Sequence, residues 1–228
     1  MSNPELKAFI PLPNIYKVLW APNTSLTLAV GTTTGETFVY RYKDNELIRM
    51  YTFEKQTETG DIDISWWCTT DDRSYLALSH QTDIHIYDFT PITGIFDDIS
   101  GAYFDVSNNI TSMQFLPSSD KSDNYIVIGD KIWTITLLKF NKDGFNITKT
   151  SSIVIDEVFD NNQLTGFIKD MSWQGNISDN ILIVYFDNQK IVKFKNIING
   201  FFNKTIFNDT VTITSLSISP DRTKFLTT

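Results

Sequence analysis

An all-β fold built from repeated four-stranded sheets is the architecture this sequence predicts, on three observations. Helical periodicity is nearly absent along the 228 residues. The apolar residues fall instead into short runs rich in Val, Ile, Thr, Phe and Tyr, often alternating with polar ones, as half-buried strands do. The same strand-and-turn pattern then recurs at intervals of about 45 residues, the scale of a repeat architecture.

The first unit shows the pattern best. LWAPN (19–23) ends an apolar strand at a turn, and LTLAVGT (26–32) is a second strand that finishes in small residues. Thr34-Gly35 marks the next turn, ETFVYRY (36–42) alternates as a third strand, and LIRMYTF (47–53) follows Lys43-Asp44-Asn45 as a fourth. The second unit runs through SWWCTTDD (65–72), YLALSHQ (75–81), DIHIYDF (83–89) and GAYFDVS (101–107). The third runs through QFLPSSD (114–120), YIVIGD (125–130), KIWTITLLKF (131–140) and FNITKTSSIVI (145–155). The fourth contains MSWQGNISD (171–179), ILIVYFD (181–187), QKIVKFK (189–195) and FFNKTIF (201–207). SISPDRT (217–223) and KFLTT (224–228) begin a fifth. Aligned on Trp20, Trp66, Phe115, Trp173 and Ile218, the units are 46, 49, 58 and 45 residues apart.

Four strands per period predict the blades of a β-propeller. The expected blades are 15–53, 62–107, 110–155 and 168–207, with 211–228 as a partial fifth and LKAFIPL (6–12) as an outer strand closing the last blade. Propellers close with four to eight blades, and seven would need roughly 300 residues. The chain therefore reads as one partial propeller domain from a longer protein.

Composition bounds the function. A net charge of −8 and a pI near 4.7 argue against direct nucleic-acid binding, which needs a concentrated basic surface, so DNA is expected only through partners. A single cysteine, Cys68, excludes an internal disulfide framework and a cysteine-based zinc site. No apolar run reaches the roughly 20 residues of a membrane helix, and MSNPELKAFIPLP is no signal segment. The expected compartment is nuclear or cytoplasmic, with no secretion and no membrane insertion.

Candidate chemistry is sparse. His80 and His85 flank Asp83, but alternation puts Asp83 and His85 on one strand and His80 across the turn, so a polar hairpin end in solvent is expected in place of a metal site. Cys68 is expected as a buried structural thiol, since a nucleophile would need a histidine brought to it. Gly31-Thr-Thr-Thr-Gly35 lacks the lysine and helix of a phosphate loop and reads as a turn. The acid pairs Asp71-Asp72, Asp97-Asp98 and Asp156-Glu157 read as solvated loop residues. In QKIVKFK the alternation sets Val192 and Phe194 inward and Lys193 and Lys195 outward. No catalytic residue, cofactor, metal ligand or small-molecule substrate is expected.

Two long segments, 91–103 and 154–167, exceed hairpin length and carry Ile95, Phe96, Ile99, Phe159, Leu164 and Phe167. Such residues either cover their own blade or dock a partner, which makes these six the candidate partner-binding set.

WAPN followed by LTLAVGT and TGETFVY, together with SISPDRT, resembles the blade wording of WD40 repeats in a diverged form. No Gly-His opens a blade and no Trp-Asp closes a third strand, so that family's structural hydrogen-bond network is missing or replaced. The resemblance implies a non-enzymatic scaffold for protein–protein interaction in a multi-subunit complex. Within diverged propellers, Ser65-Trp66-Trp67, TITLLKFNKDGFN (134–146), LTGF (164–167) and SISPDRTKFL (217–226) resemble the propeller subunit of the RNA polymerase III general transcription factor IIIC. That resemblance implies a role in linking promoter-bound subunits to the initiation machinery. The alternatives are a vesicle-coat or tethering propeller, and a propeller enzyme acting through channel carboxylates.

Overall fold

A computed structural model describes residues 12, 14–21, 26–53, 63–68, 74–90, 95–105, 108–116, 124–132, 134–141, 146–154, 167–174, 181–187, 190–199, 203–208, 216–218 and 225–227. The first sheet is β1 (Ile15–Trp20), β2 (Thr27–Thr32), β3 (Thr37–Lys43) and β4 (Glu46–Phe53). The second is β5 (Ile64–Cys68), β6 (Ser74–His80), β7 (Asp83–Thr90) and β8 (Ile95–Asp105). The third is β9 (Ile110–Phe115), β10 (Asn124–Asp130), β11 (Thr134–Asn141) and β12 (Asn146–Val154). The fourth is β13 (Ile168–Gln174), β14 (Ile181–Phe186), β15 (Lys190–Lys195) and β16 (Asn203–Asn208), with a 3-10 turn at Ile197–Asn199 before its last strand. β17 (Leu216–Ile218) and β18 (Phe225–Thr227) form a two-stranded fifth.

Every described sheet is antiparallel and ordered as the chain runs. The first strands lie side by side, β1 against β5, β5 against β9, β9 against β13 and β13 against β17. This is an all-β, propeller-like fold of several blades, with the first strand of each blade at the hub.

Local chemistry explains the turns. Asp44 and Asn45 both take positive φ, 53° and 65°, which is how a two-residue turn matches the twist of the strands it joins, here β3 and β4. Between β2 and β3, Gly35 sits at φ 88°, and the Thr32 hydroxyl accepts the Glu36 N–H at 3.0 Å. The glycine is there for its backbone, as expected of a turn. At the end of β10, Asp130 Oδ1 accepts the N–H groups of Ile132 and Thr134 at 3.0 and 2.8 Å, so the chain turns there. The sequence reading extends the third strand back to Lys131. In the structure Lys131 and Ile132 form this turn, because Asp130 captures amides that a ladder would otherwise use.

Burial follows the stacking of sheets. All of β2 and β6 is buried: β6 is covered on both faces by neighbouring blades, and β2 packs on blade two with one face and clusters with Leu12 and Tyr40 on the other. That is why these strands carry Ala29, Gly31 and Ala77 where strands with one wet face would alternate. The main cores lie between blades. Ala29, Val39 and Phe53 of the first sheet meet Trp66 and Leu76 of the second. Tyr75 and Ile86 of the second meet Phe115 and Ile126 of the third. Val127 and Leu137 of the third meet Trp173 and Val184 of the fourth.

One close approach sets the spacing of blades three and four. A Cβ added to Gly129 on β10 would lie 2.7 Å from Ile168 Cγ2 and 2.8 Å from its Cδ1. Gly129→Ala is therefore expected to cost about 1–3 kcal/mol by overpacking. In an Ile168→Ala background the same change should cost clearly less. Equal costs in the two backgrounds, measured by urea unfolding, would rule out this contact as the cause.

The outer rim of blade two differs from the sequence reading. Residues 95–105 form the long edge strand β8, so 95–103 is strand and not loop insertion, Asp97 and Asp98 lie on a strand, and 91–94 lie outside the described residues. Phe96 pairs with Phe89 and Ile95 with Thr90, while His85 pairs with Tyr103 and Tyr87 with Asp98. Two residues on β7 thus span five on β8, and the bulge takes up the extra length that made the segment resemble a loop. Residues 6–11, the acid pairs at 71–72 and 156–157, and Phe159 and Leu164 lie outside the described residues.

Candidate functional site

The anchors occupy one repeated position, yet they do not share one environment. Trp66, Phe115 and Trp173 are 9, 5 and 6% exposed, whereas Trp20 is 53% exposed. Each buried anchor packs on the blade before it. Trp20 and Val18 pair in register with Leu28 and Val30 on the opposite face of blade one, and among the described residues no sheet covers Trp20.

Three residues before each anchor stands a polar residue: Lys17, Asp63, Ser112 and Asp170, and in the fifth unit Ser215, which lies outside the described residues. The side-by-side first strands bring the first four of these to the hub. They line a cavity of about 220 Å³ together with Tyr16, Thr111 and Lys169.

Asp63 is the keystone. It is 3% exposed, and its Oδ1 accepts the Lys17 ammonium at 2.5 Å. Its Oδ2 accepts the Met113 N–H, also at 2.5 Å. One carboxylate thus joins blades one, two and three. Its own backbone is fixed by Ser79, whose Oγ accepts the Asp63 N–H at 3.1 Å and whose N–H donates to the Asp63 carbonyl at 2.9 Å. One turn of strand later the device repeats, with Ser65 Oγ accepting the Phe115 N–H at 2.9 Å. The inner edge of β9 therefore finds its acceptors on the preceding blade, which answers the need of every buried N–H for a partner.

Asp170 reaches the same cavity from blade four. Burial raises its pKa to about 6, Lys17 opposes the shift, and the charge of Asp63 adds to it. Its Oδ1 accepts the Met171 N–H at 2.8 Å. A raised carboxyl pKa means that the folded state holds the proton more tightly than the unfolded chain. Asp170 therefore lowers stability as pH rises from about 4 to about 6, and its contribution is constant above that. Asp170→Asn should abolish this part of the pH dependence and gain up to about 3 kcal/mol relative to wild type at neutral pH. Parallel stability profiles of the two proteins from pH 4 to 7 would contradict it.

The other candidate residues are not brought together. His80 is buried, not solvent-facing as expected, because all of β6 is enclosed between sheets. It pairs in register with Asp83, and His85 stacks on Tyr87 with ring centres 6.5 Å apart. No group of three or more side chains able to hold a metal occurs among the described residues. Cys68 pairs with Ser74, six residues from His80 along β6. At the rise of a strand that separation is about 20 Å, so the backbone places Cys68 and His80 at opposite ends of β6. On β15, Val192 and Phe194 are fully buried and Lys195 is exposed. Of the six apolar candidates, Ile95, Phe96 and Ile99 lie on β8, and Phe167, 40% exposed, immediately precedes β13.

The hub residues are absent from the candidates drawn from sequence. The acid pairs weighed there are adjacent in the chain, whereas Asp63 and Asp170 are over a hundred residues apart. Their shared offset from the anchors was the available signal.

The sequence matches no protein-family model and no curated protein. Among solved structures, the fold is similar to that of a protein from Lactobacillus plantarum, with a TM-score of 0.65 and 11% identity. The match covers 89% of this chain and 60% of that one, so this chain spans less than two thirds of its neighbour. Identity at this level speaks for the fold alone.

Proposed function

We propose that this chain is a non-enzymatic scaffold, a rigid propeller unit that holds other protein subunits within a larger assembly. The observation that carries this reading is the Asp63 clasp. A buried hub carboxylate commits both oxygens to tying three blades together, where a propeller enzyme would present it to substrate. A preorganised platform loses little conformational entropy when partners bind, which suits a subunit with many contacts. The more specific assignment is the RNA polymerase III general transcription factor IIIC, with DNA reached through other subunits. It draws on Ser65-Trp66-Trp67 and the closing SISPDRTKFL.

Affinity purification of the tagged chain tests both levels. Recovery of polymerase III factors is the expected result. Recovery of coat or tethering components would sink the transcription assignment and keep the scaffold. Recovery of no protein partner would sink both. A second reading, hydrolysis through hub carboxylates, draws on the raised pKa of Asp170. It requires Asp63 to release Lys17 and Met113. Turnover of nitrophenyl glycosides that is lost in Asp170→Asn would favour it.

A further inference from the structure

We propose that the hub cavity binds one organic cation, a primary ammonium or a guanidinium group, between the Asp170 carboxylate and the Ser112 hydroxyl. Four charged side chains line this cavity of about 220 Å³, and three of them are committed elsewhere. The Lys17 ammonium lies on Asp63 at 2.5 Å, and the second oxygen of Asp63 takes the Met113 N–H. The Lys169 ammonium stands 5.5 Å from the centre of the Tyr185 ring. Lys17 and Asp63 cancel, so Asp170 leaves the cavity wall with a carboxylate that has no hydrogen-bonded cation of its own.

Ser112 supplies the second, independent observation. It is 1% exposed, lines the same cavity, and its hydroxyl completes no hydrogen bond of normal geometry. The hydroxyl lies close enough to the Asp170 carboxylate to lower its pKa as a side-chain hydrogen bond does. The oxygen of this buried hydroxyl has no donor, and a charged N–H group would satisfy it and the carboxylate together. An anion would meet a carboxylate and two ammonium groups already engaged. A water occupies about 30 Å³ of liquid, so the cavity has room for a cationic head with part of its alkyl stem.

The same chemistry has two sources, a basic side chain of a partner protein or a free small amine. Isothermal titration of the purified chain with agmatine, putrescine and a capped Gly-Arg-Gly tripeptide separates them. Saturable one-to-one binding is expected, weakened about tenfold or more by Asp170→Asn and less strongly by Ser112→Ala. A preference for the tripeptide over agmatine assigns the site to a partner's side chain, and the reverse assigns it to a free amine. No saturable binding up to about 10 mM, or equal binding to Asp170→Asn, would overturn the proposal. Circular dichroism confirms that each variant is folded. The scaffold reading is decided separately by co-purification, so either idea can fail without the other.

Discussion

Replacing Asp63 with alanine is expected to destabilise the protein by about 3–5 kcal/mol, the cost of breaking a buried ion pair from one side. Two groups lose their acceptor at once. The Lys17 ammonium is left at a half-buried position without its counter-ion, and the buried Met113 N–H is left unpaired. Asp63→Asn separates the two losses, because its carbonyl oxygen can still accept from Met113 while its charge is gone. It should cost about 1–3 kcal/mol, in the range of a lost charge-assisted hydrogen bond. Guanidinium unfolding of the three proteins measures both steps. A cost below about 1 kcal/mol for Asp63→Ala would mean that the clasp does not hold the blades together.

The second large effect is a contrast between two tryptophans at the same repeat position. Trp173→Ala should cost about 3–5 kcal/mol, because the ring is buried among Leu116, Val127 and Leu137 of the preceding blade and leaves a cavity behind. Trp20→Ala should cost less than about 1 kcal/mol, because that ring is already 53% exposed. Thermal or chemical unfolding of the two variants decides the matter. Similar losses in both would show that a sheet covers the outer face of blade one in solution. In that case Trp20 would behave as Trp66 and Phe115 do.

The strands were legible because their information is local. Thr37, Val39 and Arg41 alternate with Phe38, Tyr40 and Tyr42, and both ends of β3 are set by turn residues next to it, Gly35 before and Asp44-Asn45 after. The edge strand β8 was harder. Asp97, Asp98 and Gly101 have the composition of a loop, and the partner that makes them a strand is β7. His80 was misplaced for a related reason. Its hairpin turn, Gln81-Thr82, looks solvated from the sequence, but the blades on either side bury the whole of β6.

By itself the sequence determined the all-β class, the antiparallel order of strands within each blade and the repeat that stacks blades side by side. These follow from a period of two, from turn chemistry and from recurrence, all of which act over a few residues or in fixed copies. Only the tertiary structure decided that Lys17, Asp63, Ser112 and Asp170 share one cavity, and that Trp20 differs from its repeat equivalents. Both depend on which blade stands beside which. The pairing of charges across a hub is a property of how the first strands stand side by side, carried by residues roughly 50 positions apart and by no motif in the chain.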